Sequence, residues 1–514
     1  MSGHVKVALG LFAVGALALS GYWFWNEKKV ENAFYQTSDA AGAKDKIRIA
    51  VDSWVGYYPL CSVGLKRRLR EVGYVLECVD DGANYPERIN SLARGEFDFA
   101  VATVDSYVLA GAPARYPGVI VAVIDESKGG DALVAHKDKL ASIDDLKKGT
   151  PQIALTPNSP SDYLAKSLSV HFGISTLARG KAWRTEVAGS GEALKALRAG
   201  QVDAAVLWEP DVSRALADEN YHRVIGTEKT QRLIVDVLLA QRERSHDQPE
   251  KVKVFLQQYF RMLKQYRDDS NLFEQELADF TKLKPAEVGV MVNGVKWASL
   301  ADNVELWMAH TADVPSQEAL ISSIESVVAV LKEYGDLDSN PLPDGDAYRL
   351  VNSAFVHGLY QESEAGLFKG AAKASQGVNE YSELSDLQWA ALREVGTLKM
   401  RPISFASGSD MLTIEDKEQL DQITENLSHY PSFRVEVRGH SGVRGDVEEN
   451  KLLSQSRAES VARYLELTHN IPTARMHAIG FGGSKPLVRQ ADESERAYNY
   501  RLPRVELVLL GAEL

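Results

Sequence analysis

The chain has 514 residues, with 58 Lys and Arg against 71 Asp and Glu and a formal net charge of −13. Its 45% hydrophobic and 25% charged residues match a globular protein of two or three domains and exclude a largely disordered one. The acidic balance, without a clustered Lys/Arg stripe, excludes the basic footprint of nucleic-acid binding.

Residues 7–25 read VALGLFAVGALALSGYWFW and carry no charge, close to the length a helix needs to cross a hydrocarbon core. Tyr22, Trp23 and Trp25 crowd its far end, where amphipathic rings favour the membrane interface. One reading is a cleaved signal peptide with small residues at 18–21. The other is an uncleaved anchor, favoured because the aromatic run continues past any plausible cleavage site. No cysteine directly follows, which excludes a lipid-modified one. Residues 1–29 are therefore expected to be an N-terminal transmembrane helix.

From residue 47 short apolar strands alternate with amphipathic helices. Strands are expected at 47–51, 74–79, 97–102, 118–124, 132–135, 152–155, 185–187, 204–207 and 232–240. Helices are expected at 60–72, 85–94, 162–172 and 193–199. This alternation predicts βαβ units and parallel sheets. The blocks 47–125 and 141–225, with a return near 233–240, predict two α/β lobes joined by crossing strands. The cleft between them is where ligands of such sheets bind. Cys61 and Cys78 lie in one lobe, outside any CxxC or zinc-type spacing. Outside the cytoplasm they would suit a disulfide, and otherwise two buried thiols.

Residues 248–358 read as helical, with helices at 251–266, 270–280, 285–290, 301–312, 317–332 and 347–356. The turn-rich DLDSNPLPDGD interrupts them at 336–346. Small and charged residues at 361–383 read as part of a linker. A compact α+β pattern follows, with strands at 398–405, 434–439, 476–481 and 504–510 and helices at 413–428 and 453–469.

The phrases IRIAVDSWVGYYP (47–59), LARGEFDFAVATVDS (92–106), IALTPNSPSDYLAKSL (153–168) and ALRAGQVDAAVLWEPDVSRAL (196–216) resemble type II periplasmic solute-binding proteins. The resemblance is to the group serving ABC importers of sulfonates, nitrate, taurine or thiamine precursors. It implies a two-lobed solute-binding domain over 46–358, with lobe 1 at 46–130 and 233–358 and lobe 2 at 135–230. Ser53, Trp54 and Tyr57 follow the first strand, and Thr103 and Asp105 the third. Ser159 and Ser161 precede a helix, where donors favour anions, although Ser at that place also simply caps a helix. Trp208 and Glu209 end a strand of the second lobe, and Asp236 lies on the return strand. With Asp52, Asp105, Glu209 and Asp236 but no Arg or Lys among the candidates, the cleft is expected to prefer a cationic or zwitterionic organic solute over a sulfate-like oxyanion. No Ser-His-Asp order, HExxH, P-loop or paired-Cys motif is present, so neither catalysis, nor a metal, nor a cofactor is expected.

The phrase VEVRGHSGVRGDVEENKLLSQSRAESVARYL (435–465) resembles the OmpA C-terminal domain. It implies a peptidoglycan-binding-type domain over 398–514, joined by a linker at 359–397. His440, Asn450 and Arg457 fall at family positions. The family grips peptidoglycan with an Asp and an Arg fifteen positions apart. Arg457 fills the second place and Gly442 the first, with Asp446 the nearest substitute acid. Together these features predict a single-pass inner-membrane protein, its bulk in the periplasm, that binds a small solute and approaches the wall. Expected partners are a small solute, peptidoglycan and an inner-membrane permease or signalling protein. The alternatives are an ABC-importer receptor and a structural tether with a degenerate cleft.

Overall fold

The computed structural model describes residues 45–309, 318–362, 381–401, 403, 405, 408–490 and 493–512. The expected helix at 7–25 lies outside them. Among the described residues no helix is long and apolar enough to cross a membrane.

In chain order the strands are β1 (Asp45–Val51), β2 (Tyr74–Asp80), β3 (Phe99–Thr103), β4 (Gly118–Ser127), β5 (Asp131–His136), β6 (Ile153–Leu155), β7 (Arg184–Glu186), β8 (Ala204–Trp208), β9 (Tyr221–Gly226), β10 (Val235–Gln241), β11 (Val295–Trp297), β12 (Arg393–Thr397), β13 (Arg434–His440), β14 (Met476–Gly480) and β15 (Arg504–Gly511). They form three sheets, in the orders β11-β4-β10-β3-β1-β2, β7-β6-β8-β5-β9 and β12-β15-β13-β14. In the first sheet β1 runs parallel to β2 and β3, while β10 and β11 run antiparallel to their neighbours. Every residue of β4, β3 and β10 is buried, which explains their near-continuous apolar sequence.

The chain crosses between the first two sheets twice, at 128–130 and 227–234. The crossings are tied together. Ser127 Oγ lies 2.7 Å from Thr227 Oγ1, which also accepts from the Gly129 amide at 2.9 Å. Gly129 has φ +126°, a value that L side chains rarely adopt. Cys61 and Cys78 form a disulfide that fastens the helix Tyr58–Cys61 to β2.

Several expected elements shift. The C-terminal sheet begins at β12, inside the stretch expected as linker, and residues 398–401 form no strand. Val395 is buried there; the alternation in 393–397 is short and broken by Gly396, which hid it. The helix expected at 301–312 is a helical turn at Leu300–Asp302 and a π turn at Asn303–Trp307. The helix expected at 347–356 is a 3-10 turn at Ala347–Leu350 followed by a helix at Ala354–Glu362. The helix expected from 453 starts at Val447.

In the third sheet the motif glycines Gly439 and Gly480 have a packing role. A Cβ on Gly439 would collide with the Ser454 carbonyl, and one on Gly480 with the Gln455 backbone. Only glycine lets the helix Val447–His469 lie so close to β13 and β14. This domain docks on both lobes and on the second crossing of the first module. Tyr430 Oη meets His171 Nδ1 at 2.8 Å on the second lobe. Ser326 Oγ of the helix Ala319–Tyr334 meets His429 Nε2 at 2.8 Å. Gln231, on the second crossing, donates its amide to the His429 carbonyl at 2.8 Å, and its own carbonyl lies 2.9 Å from His429 Nδ1.

Candidate functional site: a closed cleft rich in carboxylates and rings

Where β1 ends, the Asp52 carboxylate accepts from the Trp54 amide at 2.9 Å. This local turn carries Trp54 and Tyr57 into the space between the lobes. Tyr85, which opens the helix Tyr85–Ala93, donates to Asp52 Oδ2 at 3.2 Å. The Trp54 indole N–H donates to Asp125 at 3.3 Å, and Tyr57 donates to Asp236. From the second lobe, Trp208 Nε1 donates to Ser53 Oγ at 3.4 Å, bridging the cleft. Asp131, which opens β5 just after the first crossing, is buried, and its Oδ1 has no hydrogen-bond partner. Asp52, Trp54, Tyr57, Tyr85, Asp131 and Trp208 line a cavity with Pro160, Ile234 and Asp236; its volume is about 10 Å³, room for about one water.

The electrostatics are one-sided. Asp125 and Asp236 are paired in register on β4 and β10. Burial raises both well above the usual carboxylate range; the charge of Asp125 raises Asp236 further, and Asp131 and Glu126 raise Asp125. Asp131 is raised to about 7, by burial and then by the charges of Asp105, Glu209 and Asp52. Tyr57 is raised by burial and by Asp236.

Sequence reasoning found no cation here. The structure brings in Arg88, fully buried beside Asp52 at 2.9 Å and donating through Nε to Asp81 at 2.6 Å. The signal was available: Tyr85, Ile89 and Leu92 mark a buried helix face at i, i+4 and i+7, and Arg88 sits on it. Asp125 and Asp131 were also missed. They flank the first crossing, after the apolar run of β4.

Ser53, Trp54, Tyr57, Trp208 and Asp236 are therefore brought together. Thr103, Asp105, Ser159, Ser161 and Glu209 are not among the cavity's lining. Thr103 donates to Ser106 Oγ at 2.8 Å at its helix start. Asp105 is in the next turn, raised to about 7 by burial. Ser159 is the N-cap of the helix Pro160–His171 and donates to the Thr156 carbonyl at 2.7 Å. Ser161 Oγ accepts from the Thr156 amide at 3.1 Å and lies 2.8 Å from Ser159 Oγ. Glu209 turns toward its own helix, accepting from the Ser213 amide at 3.0 Å and hydroxyl at 2.8 Å. Local capping accounts for these groups.

In the C-terminal domain Arg457, on the helix Val447–His469, is covered, not open. Its Nε donates to the Ser409 carbonyl at 3.0 Å, and its guanidinium lies 4.8 Å from the Phe405 ring centre. His440 is buried against Phe481, 3.3 Å from the Glu506 carboxylate. Asn450 donates to the Arg444 carbonyl at 2.9 Å. Asp446 caps the helix Val447–His469, accepting from the Glu448 and Glu449 amides at 2.9 Å, so its expected role as a substitute acid has a structural competitor.

Comparison with known families divides the chain in the same way. Residues 79–288 match the family model described as "ABC transporter, phosphonate, periplasmic substrate-binding protein", and residues 404–500 match the OmpA family. Outer membrane porin F of Pseudomonas fluorescens is 35% identical over 80 residues, covering 16% of this chain and 24% of that protein. The peptidoglycan-associated lipoprotein of Brucella melitensis biotype 1 is 29% identical over 85 residues, covering 16% of this chain and 50% of that protein. The chain thus spans a quarter to a half of the length of these curated relatives. Among solved structures, the alkanesulfonate-binding protein of Xanthomonas axonopodis pv. citri bound to MOPS aligns at 18% identity with a TM-score of 0.45, covering 61% of this chain and 99% of that one. Residues 79–288 are thus similar to periplasmic substrate-binding proteins of the phosphonate-binding kind, and residues 404–500 to the OmpA family.

Proposed function

We propose that this protein is an envelope receptor that captures a small organic solute between its two lobes. Residues 1–29 hold it to the inner membrane, and its C-terminal domain associates with peptidoglycan. The observation that carries the solute reading is the convergence of rings and carboxylates from both lobes on one buried cleft, closed across the gap by Trp208 and Ser53. Two tied crossings supply the hinge that such a cleft requires. The match to a substrate-binding family supports a receptor without catalysis. The Cys61–Cys78 disulfide supports an oxidising compartment.

The receptor either informs a membrane partner or feeds a permease, and the family match favours the second. A tether with a degenerate cleft is favoured by one observation, the cavity of about 10 Å³. Native mass spectrometry and thermal shift of the freshly purified full chain decide between them. A co-purifying small molecule, or stabilisation by any member of a metabolite panel, supports the receptor. A protein that carries no ligand and responds to no solute is the tether.

A further inference from the structure

We infer that the cleft takes an organic cation, or the cationic end of a zwitterion, held by carboxylates and ring faces. This rests on the solute-binding reading and names the substrate class of that site.

The first observation is the orphaned acid. Asp131 is 1% exposed, lines the cavity and leaves Oδ1 without a partner among the described residues. A buried carboxylate oxygen without a donor is costly, and a ligand carrying N–H or N⁺–C groups supplies what is missing. Asp52 and Asp236 line the same cavity, and Asp125 stands behind Trp54.

The second observation is the lack of a compensating charge. Among the described residues the guanidinium that reaches this acid group is that of Arg88. Its Nε donates to Asp81, its Nη1 to the Val101 carbonyl at 3.0 Å and its Nη2 to Asp52. All three nitrogens are spent within the protein. The hydroxyls at the nearby helix starts are also committed, Ser159 to Thr156 and Thr103 to Ser106. An oxyanion would find no uncommitted guanidinium or hydroxyl among these groups, and its charge would oppose every ionised acid around it.

The third observation is the wall. Trp54, Tyr57, Tyr85 and Trp208 contribute four rings to one small space. Ring faces attract cations most strongly where water is excluded. With the lobes closed the rings fill the cleft, and burial raises Asp131 and Asp236 above the usual carboxylate range. Opening separates Trp208 from Ser53 and makes room. A cation that enters takes the place of the protons, so binding releases protons and tightens as pH rises.

The test is thermal shift and titration calorimetry of the full chain with matched probes at pH 6 and pH 8. The cations are choline and 1,4-diaminobutane, the anions ethanesulfonate and ethylphosphonate, and the zwitterion 2-aminoethylphosphonate. The expected result is a rise in Tm of several degrees with a cation, or with the zwitterion but not ethylphosphonate. The affinity should be higher at pH 8, and at least tenfold weaker in Asp131→Asn and Asp236→Asn variants that melt as cooperatively as the parent. Stabilisation by ethanesulfonate or ethylphosphonate alone overturns the cation assignment and leaves the solute-binding reading intact. Equal binding by parent and both variants also overturns it. No response to any probe at either pH overturns the cation assignment, and the metabolite panel then judges the solute reading separately.

Discussion

Asp125 and Asp236 stand opposite one another on β4 and β10, both buried, one accepting from the Trp54 indole and the other from the Tyr57 hydroxyl. Two negative charges in adjacent register positions of a dry sheet repel strongly. The folded protein therefore keeps protons that its unfolded chain would release near pH 4.

This fixes the pH dependence of stability. Asp105, Asp131 and Glu209 are raised to about 7, and Asp125 and Asp236 are raised as a pair. Their stabilisation of the fold is complete below the unfolded value of about 4, falls as pH rises, and is gone above the folded values. Each group accounts for a few kcal/mol at most. Chemical denaturation should show Asp131→Asn gaining on the parent as pH rises from 4 to 8, because the amide does not ionise in the unfolded chain. A difference that does not change with pH would refute this.

Arg88 is expected to be the most sensitive charged residue of the first lobe. Arg88→Met leaves Asp52 without its cation and Asp81 without its bidentate partner. Breaking a buried pair from one side costs about 3–5 kcal/mol. Urea unfolding would show this as a shifted midpoint. Arg88→Lys should recover only part of the loss, because one ammonium cannot span Asp52, Asp81 and the Val101 carbonyl.

The contact between the modules should weaken in acid. His171 is lowered to about 3, by burial and then by His429, and His429 is lowered by burial. A histidine buried neutral stabilises fully above its ordinary value of about 6.5, and that contribution drains away as pH falls below it. Limited proteolysis between pH 7 and pH 5 should show faster cleavage in the segment joining the modules at the lower pH. Tyr430→Phe, which removes the partner of His171, should shift the onset upward.

Gly442 offers a gain-of-function test. A Cβ there meets nothing within 4 Å, so an acid can be added without displacing a neighbour. Gly442→Asp restores the carboxylate that the OmpA resemblance expects fifteen residues before Arg457. Sedimentation with purified peptidoglycan should show several-fold more of this variant in the pellet than of the parent, and less of Arg457→Ala. Equal pelleting of all three would exclude the site.

Much of this was legible in the sequence where a local rule acts alone. Trp54, Tyr57 and Trp208 follow strands, and the end of a buried strand delivers its next residues to the cleft. Gly439 sits in the phrase that carries the OmpA resemblance, and its reason is the close approach of one helix to the sheet. The misses have a common cause. Asp131 and Ile234 reach the cavity because the chain crosses between lobes beside them, and a crossing has no periodicity to read. Arg88 is not legible because its burial depends on Asp52 and Asp81, which follow two different strands. Ser159, Ser161 and Glu209 carry the right chemistry, yet each finds a partner within five residues, and local geometry takes precedence over a distant cleft.

The pairing of Gln231 with His429 has a mechanical side. Gln231 belongs to the second crossing, the segment whose torsion angles must change when the lobes part. Its backbone is held at both amide and carbonyl by a residue of the C-terminal domain, which also touches Ser326 beyond it. A displacement of that domain therefore reaches the second crossing directly, as well as His171 of the second lobe and Ser326 of the first. The Gln231–His429 pairing thus ties the crossing that joins the lobes to the position of the C-terminal domain.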